Sequence, residues 1–345
     1  MTAILPSPGP SSPLLDEPVA LPEARGPLSE HLLHHLVRSV HDIGPLPDPD
    51  DDPIHGEDSA LALYLLYELH YQGLPDVDEA WEWEPSLLRE RRRLEARLEE
   101  AVTDLAGAPP LGVATAVVLD ELRALTAPGG GPSLSEHVAE QGTLAEVREL
   151  AVHRSAYQLK EADPHTWGIP RLTGAAKAAM VAIQCDEYAG GDMGGMHSRL
   201  FADTMAELGL DPRYGALLDA IPAVTLSTCN LVTLFGLHRR WRGALVGHLA
   251  LFEMCSVTPM GNYASALRRL GFGSSATRFY DEHVVADARH SEIALEQMVR
   301  GLADDEPFLR GEIVFGARAL AAVEASFARH VLDAWAAGRS SLRDT

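Results

Sequence analysis

Two histidines and an aspartate lie at helical spacing in the stretch "HVVADARH", which contains His283, Asp287 and His290. On a helix of about 3.6 residues per turn these positions fall within roughly 60° of one another and share one face. Val284 and Val285 between them predict a buried helix, and buried polar side chains need partners. Two imidazoles and a carboxylate suit iron, manganese or zinc. The sequence therefore predicts a metal site on this helix.

One helix cannot complete such a site, so further carboxylates are expected in apolar surroundings. Glu253 lies within "HLALFEMCSV", Glu187 follows "AAMVAIQCD", and Glu161 ends "SAYQLKEADP". Taken singly, only Glu253 stands out from an ordinary surface glutamate. Together with His197 they supply four segments, as in helical bundles that bind two metals. The predicted metal ligands are Glu161, Glu187, His197, Glu253, His283, Asp287 and His290, and no catalytic residue is predicted beyond them.

A glycine-rich stretch, "DEYAGGDMGGMH", separates Glu187 from His197. Each glycine costs roughly 1 kcal/mol in a helix interior relative to alanine. In an unbroken helix the two side chains would lie roughly 15 Å apart along the axis. We therefore predict an interruption that brings both residues to neighbouring metals. The same stretch is weakly helical, so we expect metal binding to order it.

Long helical patterns occupy most of the chain, and alternating strand patterns with tight turns are lacking. The sequence predicts an all-α protein. Residues 1–27 are rich in Pro and Ser and are predicted to be disordered. Residues 28–126 form a predicted smaller helical domain, which begins with a helix over residues 28–43 capped by Ser29. After the linker "TAPGGGPS", residues 134–340 form the predicted main helical bundle.

Composition and charge argue against several classes of function. The chain has 345 residues, is 46% hydrophobic and carries a formal net charge of -22. This charge argues against binding to nucleic acid or to anionic membranes. Three widely spaced cysteines without a CxxC pair favour the reducing cytoplasm. The first residues lack the basic region of a signal peptide. No uncharged apolar run reaches about 18 residues, so no membrane span is expected.

The joint spacing of these residues resembles the haem-oxygenase-like diiron oxidases, also called iron-containing redox enzymes. Their last core helix carries His-x3-Asp-x2-His, which His283, Asp287 and His290 match. An earlier helix carries a Glu followed by a His. One branch of the family spaces them as Glu-x6-His, which this chain does not match. The Glu-x9-His spacing of Glu187 and His197 instead resembles the N-oxygenase branch.

Two further carboxylates of that branch correspond to Glu161 and Glu253. The resemblance covers roughly residues 140–300. A typical member of the branch N-nitrosates its substrate in the streptozotocin pathway and also carries a cupin domain, whose chemistry is not carried over to this chain. The N-terminal helices resemble the dimerising helices of that enzyme only loosely.

The resemblance implies a haem-oxygenase-like helical bundle with two Fe(II) ions as cofactors and O2 as co-substrate. It further implies a homodimer that acts in a natural-product pathway. The implied reaction is N-oxygenation of an amine or guanidine in a small-molecule substrate, and an external electron donor is a possible further partner. Oxidative decarboxylation or C–C cleavage of a fatty or amino acid is the alternative reaction. A non-catalytic iron-binding protein is the alternative class. Arg289, beside the ligand motif, is a candidate partner for a substrate carboxylate.

The division of the ligands between the two irons is a further expectation. We place Glu161, His197 and His290 on one iron. His283, Asp287 and Glu187 hold the other or bridge the pair, and Glu253 binds only in some oxidation states.

Other polar residues in apolar stretches are assigned structural roles. Glu68 and His70 are two positions apart and do not share a helix face. His34 and His35 lack ligand spacing. His165 also lacks ligand spacing. Because it follows Glu161 closely, a position beside the metal ligands is the alternative role for it.

Overall fold

The computed structural model describes residues 19–127 and 133–344. Most of the segment predicted to be disordered and most of the linker "TAPGGGPS" lie outside these residues. The described part of the N-terminal segment, residues 19–26, precedes the first helix. There Arg25 donates hydrogen bonds to the Glu57 carboxylate and to the Leu218 carbonyl oxygen, at 2.7 Å each.

Helices account for the regular structure of the described residues, which contain no strand. The predicted all-α class is confirmed. The helices in chain order are α1 (Pro27–Leu36), α2 (Glu57–Glu68), α3 (Pro85–Ala106), α4 (Thr115–Leu125), α5 (Leu134–Glu140), α6 (Leu144–Gln158), α7 (Asp163–Thr166), α8 (Gly174–Glu187), α9 (His197–Glu207), α10 (Ala223–Leu237), α11 (Arg242–Arg269), α12 (Ser274–Glu292), α13 (Arg300–Asp305) and α14 (Arg310–Ala336). Helix α12 continues into a π-helical segment, Ile293–Val299.

Helix α11 lies at the centre, packed along α12 on one side and α14 on the other. Two glycines allow the close approach of α11 to α14. A Cβ atom on Gly247 would lie 1.9 Å from the Ile313 carbonyl oxygen, and one on Gly316 would lie 1.9 Å from that of Ala244. Because interiors are close-packed, such a contact admits no side chain. This packing fixes the helix that carries Glu253.

The segments predicted as two domains share one apolar core. A single cluster of buried residues runs from Leu28 and Leu61 through Leu122 to Met180, Leu249 and Phe315. It joins α1–α4 to α8, α10, α11 and α14. The helices on either side of the predicted domain boundary thus bury their apolar faces against each other. The position of the boundary itself stays a prediction.

The predicted first helix is shorter in the structure than in the sequence interpretation. It ends at Leu36 rather than near residue 43, and Gly26 occupies its N-cap position. Pro27 begins the helix, where its missing N–H costs nothing. The Ser29 hydroxyl instead accepts a hydrogen bond from the Arg25 backbone N–H at 2.8 Å.

One stretch, residues 239–269, is long and apolar enough to cross a membrane by length and composition alone. Of its most apolar window, 67% is buried inside the protein. Core helices of folded domains pass the same test, so this stretch is weak evidence for a membrane span.

Candidate metal centre

The fold brings all seven predicted ligands together in the interior. They form two groups in which one nitrogen or oxygen atom from each member lies within 4.8 Å of the others. One group contains Glu161, Glu187, His197 and His283, and the other contains Glu187, Glu253, Asp287 and His290. Every member is buried. Glu187 belongs to both groups and therefore lies between them.

The first group is built from four separate elements. Glu161 lies in the turn after α6, Glu187 ends α8, His197 begins α9 and His283 lies in α12. His283 Nε2 is 3.4 Å from a Glu161 oxygen, while its Nδ1–H donates to the Phe279 carbonyl oxygen at 2.7 Å. This backbone bond keeps a proton on Nδ1 and leaves Nε2 as the nitrogen that can bind a metal once its own proton is displaced.

The second group surrounds the His290 ring. His290 Nδ1 lies 3.3 Å from a Glu253 oxygen, 3.5 Å from a Glu187 oxygen and 3.5 Å from an Asp287 oxygen. The imidazole is fully buried. A single nitrogen thus faces three carboxylates that come from α8, α11 and α12.

The structure divides the ligands differently from the sequence expectation. His283, rather than His290, joins Glu161 and His197. The reason is the seven-residue separation along α12, which amounts to about 10 Å of helix axis. The two histidines share a face but reach different depths of the bundle. Val285 on the same helix is 75% exposed, so the apolar residues there did not all face the core as expected.

The glycine-rich stretch folds as an interruption, as predicted. Helix α8 ends at Glu187, a short turn follows, and α9 begins at His197. Ala189, Gly190 and Gly191 have positive φ values of 50°, 60° and 92°. This reversal places His197 Nδ1 2.5 Å from a Glu187 oxygen. Whether metal binding orders the stretch remains a prediction.

Burial and mutual charge set the protonation of the two groups. Burial raises the pKa of Glu161, and it raises the pKa of Glu253 to about 8. Burial lowers the pKa of His283, but the charge of Glu161, a hydrogen bond to it and the charges of Glu187 and Asp287 together outweigh burial, and the pKa rises to about 10. Burial likewise opposes charge on His290, yet its carboxylate partners raise its pKa to about 11. Protons therefore occupy this cluster, and a bound cation has to displace them.

Three buried ligand atoms lack a partner with hydrogen-bond geometry, namely Glu161 Oε2, His197 Nδ1 and Asp287 Oδ1. Two of them contact a charged group without that geometry: His197 Nδ1 lies 2.5 Å from a Glu187 oxygen, and Asp287 Oδ1 lies 3.5 Å from His290 Nδ1. Buried polar atoms are almost always paired, and an unpaired one costs about 1–3 kcal/mol. Imidazole nitrogens and carboxylate oxygens without sulfur ligands suit iron and similar divalent metals. The residues present thus fit a metal, and both groups contain an orphaned ligand atom that a metal would satisfy.

Comparison with known proteins agrees with this donor set. The model of the iron-containing redox enzyme family, which is haem-oxygenase-like, matches residues 148–325. The chain belongs to this family. The matched region is slightly more than half of the chain and includes all seven residues of the two groups. No curated protein matches the sequence significantly.

Sequence analysis did not identify Asp186, which contacts His290 of the second group. Asp186 accepts from His290 Nε2 at 2.9 Å and also pairs with Arg289. Metal-binding histidines commonly donate their second N–H to a carboxylate, which fixes the ring and raises its basicity. Arg289, the candidate partner for a substrate carboxylate, therefore pairs with Asp186. It does not line the cavity beside the two groups, which is described below. The signal for Asp186 that the sequence offered is its position directly before Glu187.

The turn that carries Glu161 is held in an unusual backbone conformation. Ala162 has φ of 75°, a region that costs non-glycine residues about 1 kcal/mol or more. The Gln184 side-chain amide donates to the Ala162 carbonyl oxygen at 2.7 Å and so supports the turn. This conformation reverses the chain directly after Glu161.

A narrow cavity of about 10 Å³, which has room for about one water molecule, adjoins the candidate ligands of this iron-containing enzyme. Besides ligand residues, its lining contains Tyr157, His165, Gln184, Leu249 and Phe252, with no Lys or Arg among the described residues that line it. His165 Nδ1 lies 3.3 Å from the Tyr157 hydroxyl. Its Nε2 lies 3.1 Å from Nδ1 of His248. Burial lowers the pKa of His165 well below its usual range, so the ring is neutral.

Glu68 and His70 lie outside both groups. Glu68 accepts from the buried ammonium of Lys160 and from the Tyr214 hydroxyl. His70 Nδ1 lies 3.0 Å from a Glu82 oxygen. Both residues therefore tie α2 and the following segment to neighbouring elements.

Proposed function

We propose that this protein is an O2-dependent non-haem diiron oxygenase that N-oxygenates an amine or guanidine group of a small metabolite. The observation that carries the proposal is the pair of buried ligand groups that share Glu187. Family membership supports an iron-dependent oxidative activity. The two irons, the use of O2 and the N-oxygenation are the proposal.

Charge balance favours two divalent ions over one. The seven residues comprise four carboxylates and three imidazoles. Two divalent cations would neutralise four carboxylates when the imidazoles are neutral ligands. A single ion would leave two negative charges in a buried site, which protons on the remaining group would have to neutralise.

The ligand residues divide the work between the two ions. Glu161, His197 and His283 would hold one, Glu253, Asp287 and His290 the other, and Glu187 would face both. Two ferrous ions, when bound, supply the electrons and the open coordination positions for O2 activation. The chain itself holds the ligands, keeps His290 in one orientation through Asp186, and surrounds the site with apolar side chains that exclude bulk water.

The cavity lining supports an amine or guanidine substrate. Phe252 and Leu249 present apolar surface, and neutral His165 adds no positive charge. When two divalent ions neutralise the four carboxylates that also line the cavity, such surroundings disfavour a charged ammonium and so favour the neutral nitrogen, whose lone pair is oxidised. A fatty or amino acid would bring a carboxylate, and the described lining offers it no Lys or Arg. This contrast favours N-oxygenation over decarboxylation.

The proposal is tested first by metal content. Anaerobic Fe(II) titration of the wild-type chain is expected to give two irons per chain. His283→Gln removes one of the two imidazoles of the first group and is expected to leave about one iron, whereas Glu187→Gln weakens both sites. His137→Gln is the matched control, because His137 also pairs with a glutamate, at 3.3 Å, but lies outside both groups. Two irons in both ligand variants would reject the assignment.

The reaction is tested by mixing the loaded protein with O2 and a panel of small amines, guanidines and acids. We expect one compound of the first two classes to accelerate O2 consumption and to gain an oxygen atom on nitrogen, traced with labelled O2. Loss of carbon dioxide from an acid would support decarboxylation instead. Oxidation of iron without any organic product would support an iron-storage role.

A further inference from the structure

The cavity beside the two ligand groups is lined by one side-chain amide, that of Gln184. Gln184 lies on α8 three positions before Glu187, so the two side chains share a helix face that points into the protein. Only 3% of the Gln184 surface is exposed. Because Gln184 belongs to neither ligand group, its place in the cavity wall calls for another explanation.

The amide nitrogen of Gln184 is fully occupied by the turn that carries Glu161. Nε2 donates one hydrogen bond to the Ala162 carbonyl oxygen at 2.7 Å and one to the Thr166 hydroxyl oxygen at 2.6 Å. A carbonyl oxygen can only accept, so the nitrogen and not the oxygen of the amide must face Ala162. These two bonds fix the plane of the amide and therefore the position of Oε1.

The amide oxygen of the same side chain is left without a donor. Gln184 Oε1 is buried and has no hydrogen-bond partner in the part of the chain that the structure describes. Buried polar atoms are almost always paired, so an exception calls for a reason. Support of the turn after Glu161 requires only the amide nitrogen and leaves the oxygen unexplained. A fixed acceptor in a cavity wall suits a ligand that brings an N–H group.

The size of the cavity limits which chemical group can meet this acceptor. At about 10 Å³, the cavity has room for about one water molecule. A single nitrogen with its hydrogens, from an amino or a guanidino group, is similar in size to a water molecule. A carboxylate is larger and would bring further acceptors to Oε1. Tyr157 and Phe252 are half-buried and the other lining residues are buried, so the rest of a substrate would extend toward these two rings.

We propose that Gln184 determines the substrate class: its Oε1 accepts a hydrogen bond from an N–H of the amine or guanidine whose nitrogen enters the cavity. The inference rests on the proposed function and adds the residue that recognises the nitrogen. The N–H bonds and the lone pair of a neutral nitrogen point in different directions, so a hydrogen bond to Oε1 leaves the lone pair free to react. A ligand without an N–H leaves Oε1 unpaired and is disfavoured.

Calorimetry on the zinc-loaded full-length chain tests the proposal, because Zn²⁺ has no redox chemistry and no product forms. Butylamine offers N–H groups, whereas butyronitrile ends in a nitrogen that has a lone pair but no N–H. In Gln184→Met the affinity for butylamine is expected to fall about tenfold, with the affinity for butyronitrile unchanged. Thr166→Val is the matched control, because it removes one acceptor of Nε2 and leaves Oε1 in place. A general disturbance of the site would weaken both probes alike.

A crystal of the zinc-loaded wild type soaked with butylamine gives a readout that needs no variant. The amine nitrogen is expected at about 2.7–3.2 Å from Gln184 Oε1. The inference would be overturned by a nitrogen bound elsewhere, by unchanged butylamine affinity or equal losses for both probes in Gln184→Met, or by no binding of butylamine to wild type. Failure of the iron-loaded protein to oxidise amines would reject the proposed function alone, since binding to the zinc-loaded protein involves no oxidation.

Discussion

Two buried charged clusters lie side by side in this protein, and adjacent residues belong to them. Lys160 and Glu161 follow each other in the chain, yet Lys160 neutralises Glu68 while Glu161 joins the metal centre. In the first cluster both charged groups are only 2% exposed and satisfy each other. In the second, four carboxylates meet three imidazoles, and the ion pairs of these carboxylates in the described part of the chain are all with histidine.

The difference separates a structural cluster from a functional one. Glu68 has its cation built into the chain, together with the Tyr214 hydroxyl and aromatic rings around the ammonium. The metal-centre carboxylates have no such cation, and their protonated histidines serve as replaceable partners. A buried acidic cluster whose compensating charge is carried by protons on histidine can exchange those protons for metal cations from solution. The predictions below test this contrast, from the largest expected effect to the smallest.

Lys160→Met removes the built-in cation and leaves Glu68 charged and unpaired in the core. We expect the free energy of unfolding to fall by about 3–5 kcal/mol in urea titrations. The double variant Lys160→Met with Glu68→Met is expected to recover much of this loss, because no buried charge remains. If Lys160→Met were as stable as wild type, the buried Glu68 carboxylate would not depend on the Lys160 ammonium.

Iron loading supplies the missing cations of the second cluster. Anaerobic Fe(II) at one hundred times its dissociation constant is expected to raise the free energy of unfolding by about 2.7 kcal/mol for each iron bound. Chemical unfolding with and without Fe(II) measures this change. The increase should shrink strongly in Glu187→Gln, which lies in both groups. An equal increase in wild type and variant would place the stabilising iron elsewhere.

Asp186→Ala tests whether the metal centre depends on a carboxylate that does not itself belong to either group. Removing the partner of His290 Nε2 is expected to weaken Fe(II) binding about 10- to 100-fold. Competition with a chelator measures the affinity. Asp203→Ala is the control, since Asp203 also pairs with an arginine, Arg199, on the surface. Identical affinities for the two variants would exclude a role for Asp186.

Ala162→Gly tests the strained turn between the two clusters. Glycine adopts positive φ without steric cost, so we expect stability to increase by about 0.5–1 kcal/mol in urea. Iron affinity should stay the same or decrease slightly, because Glu161 gains freedom. Destabilisation would show instead that the buried Ala162 methyl contributes more through packing than its backbone costs.

Much of the site was accessible from sequence because helical periodicity is local. His283, Asp287 and His290 share a face by spacing alone, and the glycines after Glu187 marked an interruption. Asp186 was missed because it differs from an ordinary helix-end carboxylate only through a partner 104 residues away.

The amino-acid sequence by itself determined the all-α class, the seven candidate ligand residues and the break between α8 and α9. These features depend on residue type and short-range spacing. Only the tertiary structure decided that His283 and His290 serve different groups, that Glu187 lies between them, and that Lys160 is paired while Glu161 is not. The physical reason is that charge compensation in a protein interior depends on distances of a few ångströms between segments that are far apart in the chain.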